Sequence, residues 1–139
     1  MTTTKNPVGR TTSQGWEIGI RRTFPIGPHQ AWELLFTHPL LSSWLDDKAD
    51  LPFEKGNTYT TKTGITITVS SVTTGKVIRM KWQQPGDPQT STLQIRIIPA
   101  KEKTTISFHH EWLKNGQERE AMKNYWGHVL DEISRRLKI

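Results

Sequence analysis

The chain has 139 residues, no cysteine, 19 Lys and Arg against 13 Asp and Glu, and a net charge of +6. That length suits one domain with a self-sufficient core; the missing thiols exclude disulfides and thiolate zinc sites, and no run approaches the ~18 apolar residues of a membrane span. The basic residues are scattered, with no basic helix and no aromatic–basic interleave, so a solvated basic surface is expected and nucleic-acid binding is not.

The first fifteen residues, "MTTTKNPVGRTTSQG", are polar and lack an apolar signal core, so they read as a flexible tail and the location is expected to be cytoplasmic. From Trp16 the pattern alternates: Trp16, Ile18, Ile20, Arg22 and Phe24 share one face of a strand that Pro25 and Pro28 end. Arg22 is the polar exception on that apolar face. Pro28 then suits the first turn of a helix, with Ala31, Leu34 and Leu35 at helical spacing and Trp32 four residues before Phe36. Pro39 biases His38 away from helical dihedrals, so the apolar stretch "QAWELLFTHPLLSSWL" becomes two short helices, the second from about Leu40 to Leu45.

After the loop "ADLPFEKGNTY", strands are expected between glycine and proline punctuation. Ile65, Ile67 and Val69 share one face, and so do Ile78, Met80 and Trp82. Leu93, Ile95 and Ile97 follow in "STLQIRIIP", then Ile106, Phe108, His110 and Trp112 in "TTISFHHEWL". The last segment is the clearest helix. Asn115 and Glu118 form a capping-box pattern, and Met122, Tyr125, Trp126, Val129, Leu130, Ile133 and Leu137 form one stripe. Consecutive strands with short turns imply an antiparallel meander, against which the final helix must bury its stripe.

Catalytic motifs are missing from the sequence. No G-x-S-x-G or H-E-x-x-H pattern and no phosphate loop is present. The five histidines are His29, His38, His109, His110 and His128. Adjacent His109 and His110 point to opposite faces of a strand and cannot share one ion in regular geometry, so no metal and no other cofactor is expected. Asp46-Asp47 reads as a solvated helix end more readily than as a pair of catalytic acids. Arg22 and His110, polar on apolar faces, could orient a ligand's polar group; equally, Arg22 could reach water from the strand end and His110 could be a satisfied structural histidine.

In order and spacing, "RTFPIGPHQAWELL", "PLLSSWL", "MKWQQP", "STLQIRI", "TTISFHHEWL" and "MKNYWGHVLDEISRRL" resemble the START-like, helix-grip (SRPBCC) superfamily. Within it they are most similar to the family named for the C-terminal domain of the activator of heat-shock protein ninety ATPase. The resemblance implies an α+β helix-grip fold over residues 16–139: a curved antiparallel β-sheet wrapped around a long C-terminal α-helix, with two short helices after the first strand. It also implies a cavity between sheet and helix for a small apolar molecule, such as a lipid, polyketide or flavonoid-like compound. Candidate lining residues are Arg22, Trp32, Leu35, Trp44, Met80, Trp82, His110, Trp112, Met122, Tyr125 and Trp126, with Trp44 nearest the entrance. A chaperone partner, in a stress-response setting, and a polyketide cyclase-like cavity enzyme are the alternatives. The sequence departs from the family in having a single Gly56 before "NTYTT" and in lacking the large N-terminal domain of the co-chaperone members, which argues against chaperone activation.

Overall fold

The computed structural model describes residues 10–11 and 15–139. Strand β1 (Arg10–Thr11) is followed by β2 (Gly15–Phe24), α1 (Pro28–Phe36), α2 (Leu41–Trp44), β3 (Thr58–Thr60), β4 (Thr66–Thr73), β5 (Val77–Gln83), β6 (Ser91–Ala100), β7 (Lys103–Leu113) and α3 (Gly116–Leu137). Of the expected tail, residues 1–9 and 12–14 lie outside the described residues, while Arg10–Thr11 pairs with Gly15–Trp16. The seven strands form one antiparallel sheet in the order β1-β2-β7-β6-β5-β4-β3.

This order explains the apolar broken segment. The sheet is a meander from β3 to β7, but β2 pairs with β7 at the far side. The chain between β2 and β3 must therefore cross one end of the sheet, and α1 and α2 make that crossing. Ala31, Trp32, Leu35, Leu40, Leu41 and Trp44 are buried along it. The break sits at His38-Pro39, whose peptide bond is cis.

Strands β2 and β4 to β7 turn their apolar alternates to the face of the sheet that α3 covers. Ile18, Phe24, Ile67, Val69, Ile78, Met80, Leu93, Ile95, Ile106 and Phe108 form the sheet side of the core. Met122, Trp126, Val129, Leu130 and Ile133 form the helix side. The N-cap is present: the Asn115 side chain accepts from Glu118 N at 2.8 Å; the return bond of the expected box is displaced by one residue, with Glu118 Oε1 accepting from Lys114 N at 3.1 Å. The helix ends at Lys138, in the left-handed region with φ 59°.

One irregularity overturns an expected face. Trp16 pairs with Leu113 and Ile18 with His110, so Glu111 and Trp112 together oppose the single residue Glu17. This is a β-bulge, and Trp112 takes φ 62° within it. The extra residue shifts the alternation by one. Leu113 turns inward, and Trp112, expected beside Phe108 and His110, is 52% exposed.

Candidate functional site

The space between sheet and helix is organised around Trp126. Its ring stacks on Phe108 at 4.7 Å and 12°, and it meets Trp82, Tyr125, His110 and Trp44 at 5.3, 4.9, 6.1 and 6.2 Å between centroids. Such tilted and edge-on pairs are the favoured aromatic arrangements. The cluster lies in the region where the family resemblance implies a ligand cavity.

His110 threads this cluster with a directed chain of hydrogen bonds. Trp126 Nε1 can only donate, so His110 Nδ1, 3.1 Å away, is the acceptor. His110 Nε2 therefore carries the proton and donates to Ser91 Oγ at 2.7 Å, and Ser91 Oγ donates to the Trp82 carbonyl at 3.2 Å. The imidazole is held neutral: burial, with a smaller contribution from His109, pushes its pKa down from 6.5 to about 3. Both ring nitrogens are engaged, so His110 is a structural tie between α3, β7, β6 and β5.

The crossing helices form a plug behind the cluster. Trp44, expected at an entrance, is fully buried, and its Nε1 donates to the Leu35 carbonyl at 3.0 Å. The Trp44 carbonyl in turn accepts from Tyr125 Oη at 2.5 Å. Burial pushes the Tyr125 hydroxyl up to about 12. Asp46 follows as an anchor and accepts from Tyr59 Oη, Lys62 N and Lys48 N at 2.6, 2.8 and 3.0 Å. Desolvation acts to raise its pKa, but these bonds outweigh it and hold the carboxyl below its ordinary value. Asp47 pairs with Lys62 at 2.5 Å. The two acids fasten α2 to the β3–β4 region.

Among the predicted pocket residues, Trp32, Leu35, Trp44, Met80, Trp82, His110, Met122 and Trp126 share the core, and Tyr125 is half-buried against it. Two are elsewhere. Trp112 is outside for the reason given. Arg22, opposite Ile106 in the register, reaches α3, where its Nη1 meets Asp131 Oδ1 at 2.9 Å and Ser134 Oγ at 3.3 Å. It ties β2 to α3, a use that the strand pattern alone could not show.

One polar atom of the inner cluster stands apart. Trp82 Nε1 is buried with no hydrogen-bond partner among the described residues. Trp82 reaches a narrow gap bordered by Gln84, Ser91, Trp112 and Glu118. Beside it, Gln84, Lys114, Ala121 and Met122 line a shallow hollow of about 240 Å³. Between hollow and interior, Gln84 Nε2 meets Met122 Sδ at 3.8 Å, and Lys114 Nζ reaches Asp87 Oδ2 at 3.5 Å. At the opposite end, Trp32, Phe36, Leu51 and Phe53 wall a surface groove of about 370 Å³.

The outer sheet face carries a cluster that no sequence motif marks. Ligand atoms of Glu17, His109 and Glu111 lie there within 4.8 Å of one another, a spacing that could hold a cation. Their carboxylates already face basic groups: His109 Nε2 is 3.6 Å from Glu17, and Arg79 is 3.5 Å from Glu111. Period-two counting gives the outward residues of β7; the pairing of β2 with β7, with Gly19 opposite His109, brings Glu17 alongside them.

Residues 26–138 match the model of a family described as activator of Hsp90 ATPase homolog 1-like protein. In fold the chain is similar to protein MLL2253 from Mesorhizobium loti, with 17% identity, a TM-score of 0.75, and 88% of this chain and 96% of that one covered. It is similar to an HSP90 activator from Plasmodium falciparum, with 20% identity, a TM-score of 0.73, and coverage of 89% and 97%. CalU16 from Micromonospora echinospora is similar at 19% identity and a TM-score of 0.73, with coverage of 91% and 80%. No curated protein matches the sequence.

Proposed function

Since the chain belongs to the activator of Hsp90 ATPase homolog 1-like family, with its START-like fold, we propose that it binds a small apolar molecule bearing a carbonyl or similar acceptor. The ligand enters between the 84–90 loop and the start of α3. The observation that carries this reading is the unpartnered Trp82 Nε1 inside the sheet–helix interior. A buried donor without an acceptor costs about 1–3 kcal/mol, and a ligand acceptor recovers that cost. Met80 and Met122 are the adaptable walls, because unbranched thioethers re-pack readily. Trp82, Tyr125 and Trp126 supply flat apolar surface.

The test is titration with flavonoid-like ketones, fatty acids and sterols, read by thermal shift and tryptophan fluorescence. A saturable rise in stability is expected for the ketones. Trp82→Phe, which removes the donor, should weaken binding about ten-fold or more; Met122→Ala, which clears the entrance, should not. If no compound gives a saturable response, or Trp82→Phe binds as tightly as the parent, the reading is wrong.

A second reading, a partner-binding module, draws on the family and on Trp112. A tryptophan more than half exposed on a left-handed backbone is the kind of residue that anchors protein interfaces. Pull-down with the Hsp90 chaperone, compared between the parent and Trp112→Ser, tests it. Equal capture by both would remove Trp112 from the interface.

A further inference from the structure

We propose that the outer face of the sheet, on the side away from α3, carries a binding site for a small oxyanion. It lies across the sheet from the Trp82 interior and does not depend on that reading. The site follows from register. Arg21 of β2 pairs with Ser107 of β7, and Ser107 pairs with Arg96 of β6. The two arginines thus flank one serine on the same face, about 10 Å apart at their Cα atoms, two strand spacings. Both are exposed, and neither meets a carboxylate among the described residues. In the next row, Gly19, His109, Gln94 and Arg79 stand side by side. Gly19 contributes no side chain and Ser107 a small one, so the floor is low while the three arginines stand around it. The resulting hollow is about 660 Å³.

Like charges placed close together on a sheet face oppose one another unless something neutralises them. One row away the protein does neutralise its cation: Arg79 faces Glu111 at 3.5 Å. Over Ser107 it does not. The Arg96 guanidinium donates to the Gln94 amide oxygen beside it, a neutral partner that leaves its charge uncompensated; guanidinium groups on both sides of the hollow suit the planar, multidentate geometry of a phosphate or carboxylate, and the Ser107 hydroxyl between them can donate. The extent of the positive region decides the size of the ligand. Glu111 and Glu17 close one end of the face and would repel a polyanion lying along the strands. The site therefore fits a compact anion and not an extended nucleic acid.

The experiment is isothermal titration of the full chain with inorganic phosphate and with citrate, against sodium chloride at matched ionic strength. Saturable one-site binding of one or both is expected, and the tighter probe tells whether the natural ligand bears phosphate or carboxylate. Arg21→Ala/Arg96→Ala should weaken binding at least ten-fold. Lys48→Ala/Lys55→Ala removes the same charge from the α2–β3 loop and should leave affinity within two-fold. The proposal is overturned if neither anion saturates, if the two double variants weaken binding equally, or if a twenty-nucleotide single-stranded DNA binds while both small anions do not.

Discussion

His110 should make the protein acid-sensitive from about pH 6.5 downward. In the unfolded chain its imidazole titrates near 6.5, and in the folded state near 3. Between those values the unfolded state binds one more proton, so stability rises with pH; it is fully present above about 6.5 and is lost progressively as pH falls toward 3. Each pH unit in that window is worth about 1.4 kcal/mol, so about 2 kcal/mol is lost between pH 6.5 and 5. For a domain of this size that is a fall in Tm of roughly 6–10 °C. The cost has a visible origin: a second ring proton would point Nδ1–H at the Trp126 N–H, donor against donor, inside a group that is wholly buried. Urea unfolding at pH 7.5, 6 and 5 measures the slope. His110→Gln offers an amide oxygen to Trp126 and an amide N–H to Ser91 but does not titrate. It should be destabilised at pH 7.5 by about 1–2 kcal/mol through imperfect packing and should lose the slope between pH 6.5 and 5. A parent protein equally stable at pH 7.5 and 5, or a His110→Gln variant that keeps the parent's slope, would refute the reasoning.

Other consequences can be measured in the same way. Trp44→Ala empties the plug at a wholly buried site and should cost about 3–5 kcal/mol in chemical denaturation. Tyr125→Phe leaves the Trp44 carbonyl without its hydroxyl donor and should cost about 1 kcal/mol. The Arg22–Asp131 pair is largely solvated, with side chains 39% and 67% exposed. A double-mutant cycle should give a coupling under about 1 kcal/mol.

The sequence carried the strand faces because a half-buried sheet enforces period two. Ile18, Phe24, Ile67, Val69, Ile78, Met80, Leu93 and Ile95 all lie inward as their alternation implies. It carried the break at His38-Pro39 and the Asn115 cap because both are local chemistry. Trp112 failed because a bulge is a mismatch between two strands, β2 and β7, and neither strand records it alone. Arg22 was legible as an oddity, but its partner Asp131 is 109 residues away. The identity of His110 as a satisfied core residue depended on Ser91 and Trp126, which only the fold brings to it. The row Arg21–Ser107–Arg96 is likewise a product of register, since each strand contributes one unremarkable polar residue.

The two ends of the sheet–helix interior differ in what it costs to open them, and that difference is why the proposed ligand is placed at the 84–90 end. At the α1–α2 end the plug is tied by a series of hydrogen bonds. Trp44 Nε1 bonds to Leu35, Tyr125 bonds to the Trp44 carbonyl, and His38 bonds through Nδ1 to Ser42 and through Nε2 to the Ala49 carbonyl. Opening there gives up several hydrogen bonds, at about 1 kcal/mol each, as well as the Trp44–Trp126 ring contact. At the 84–90 end the cover is the Gln84–Met122 contact at 3.8 Å and the long Lys114–Asp87 pair at 3.5 Å, two weak bonds between flexible side chains, and behind them stands a donor with nothing to lose. A ligand admitted there gains a hydrogen bond, while one admitted at the plug must first break several. Hydrogen–deuterium exchange during titration with a flavonoid-like ketone should therefore show protection concentrated in residues 84–90 and 116–122, with residues 38–53 unchanged. Protection confined to 38–53 would move the entrance to the Trp32–Phe53 groove and leave the Trp82 donor without a role.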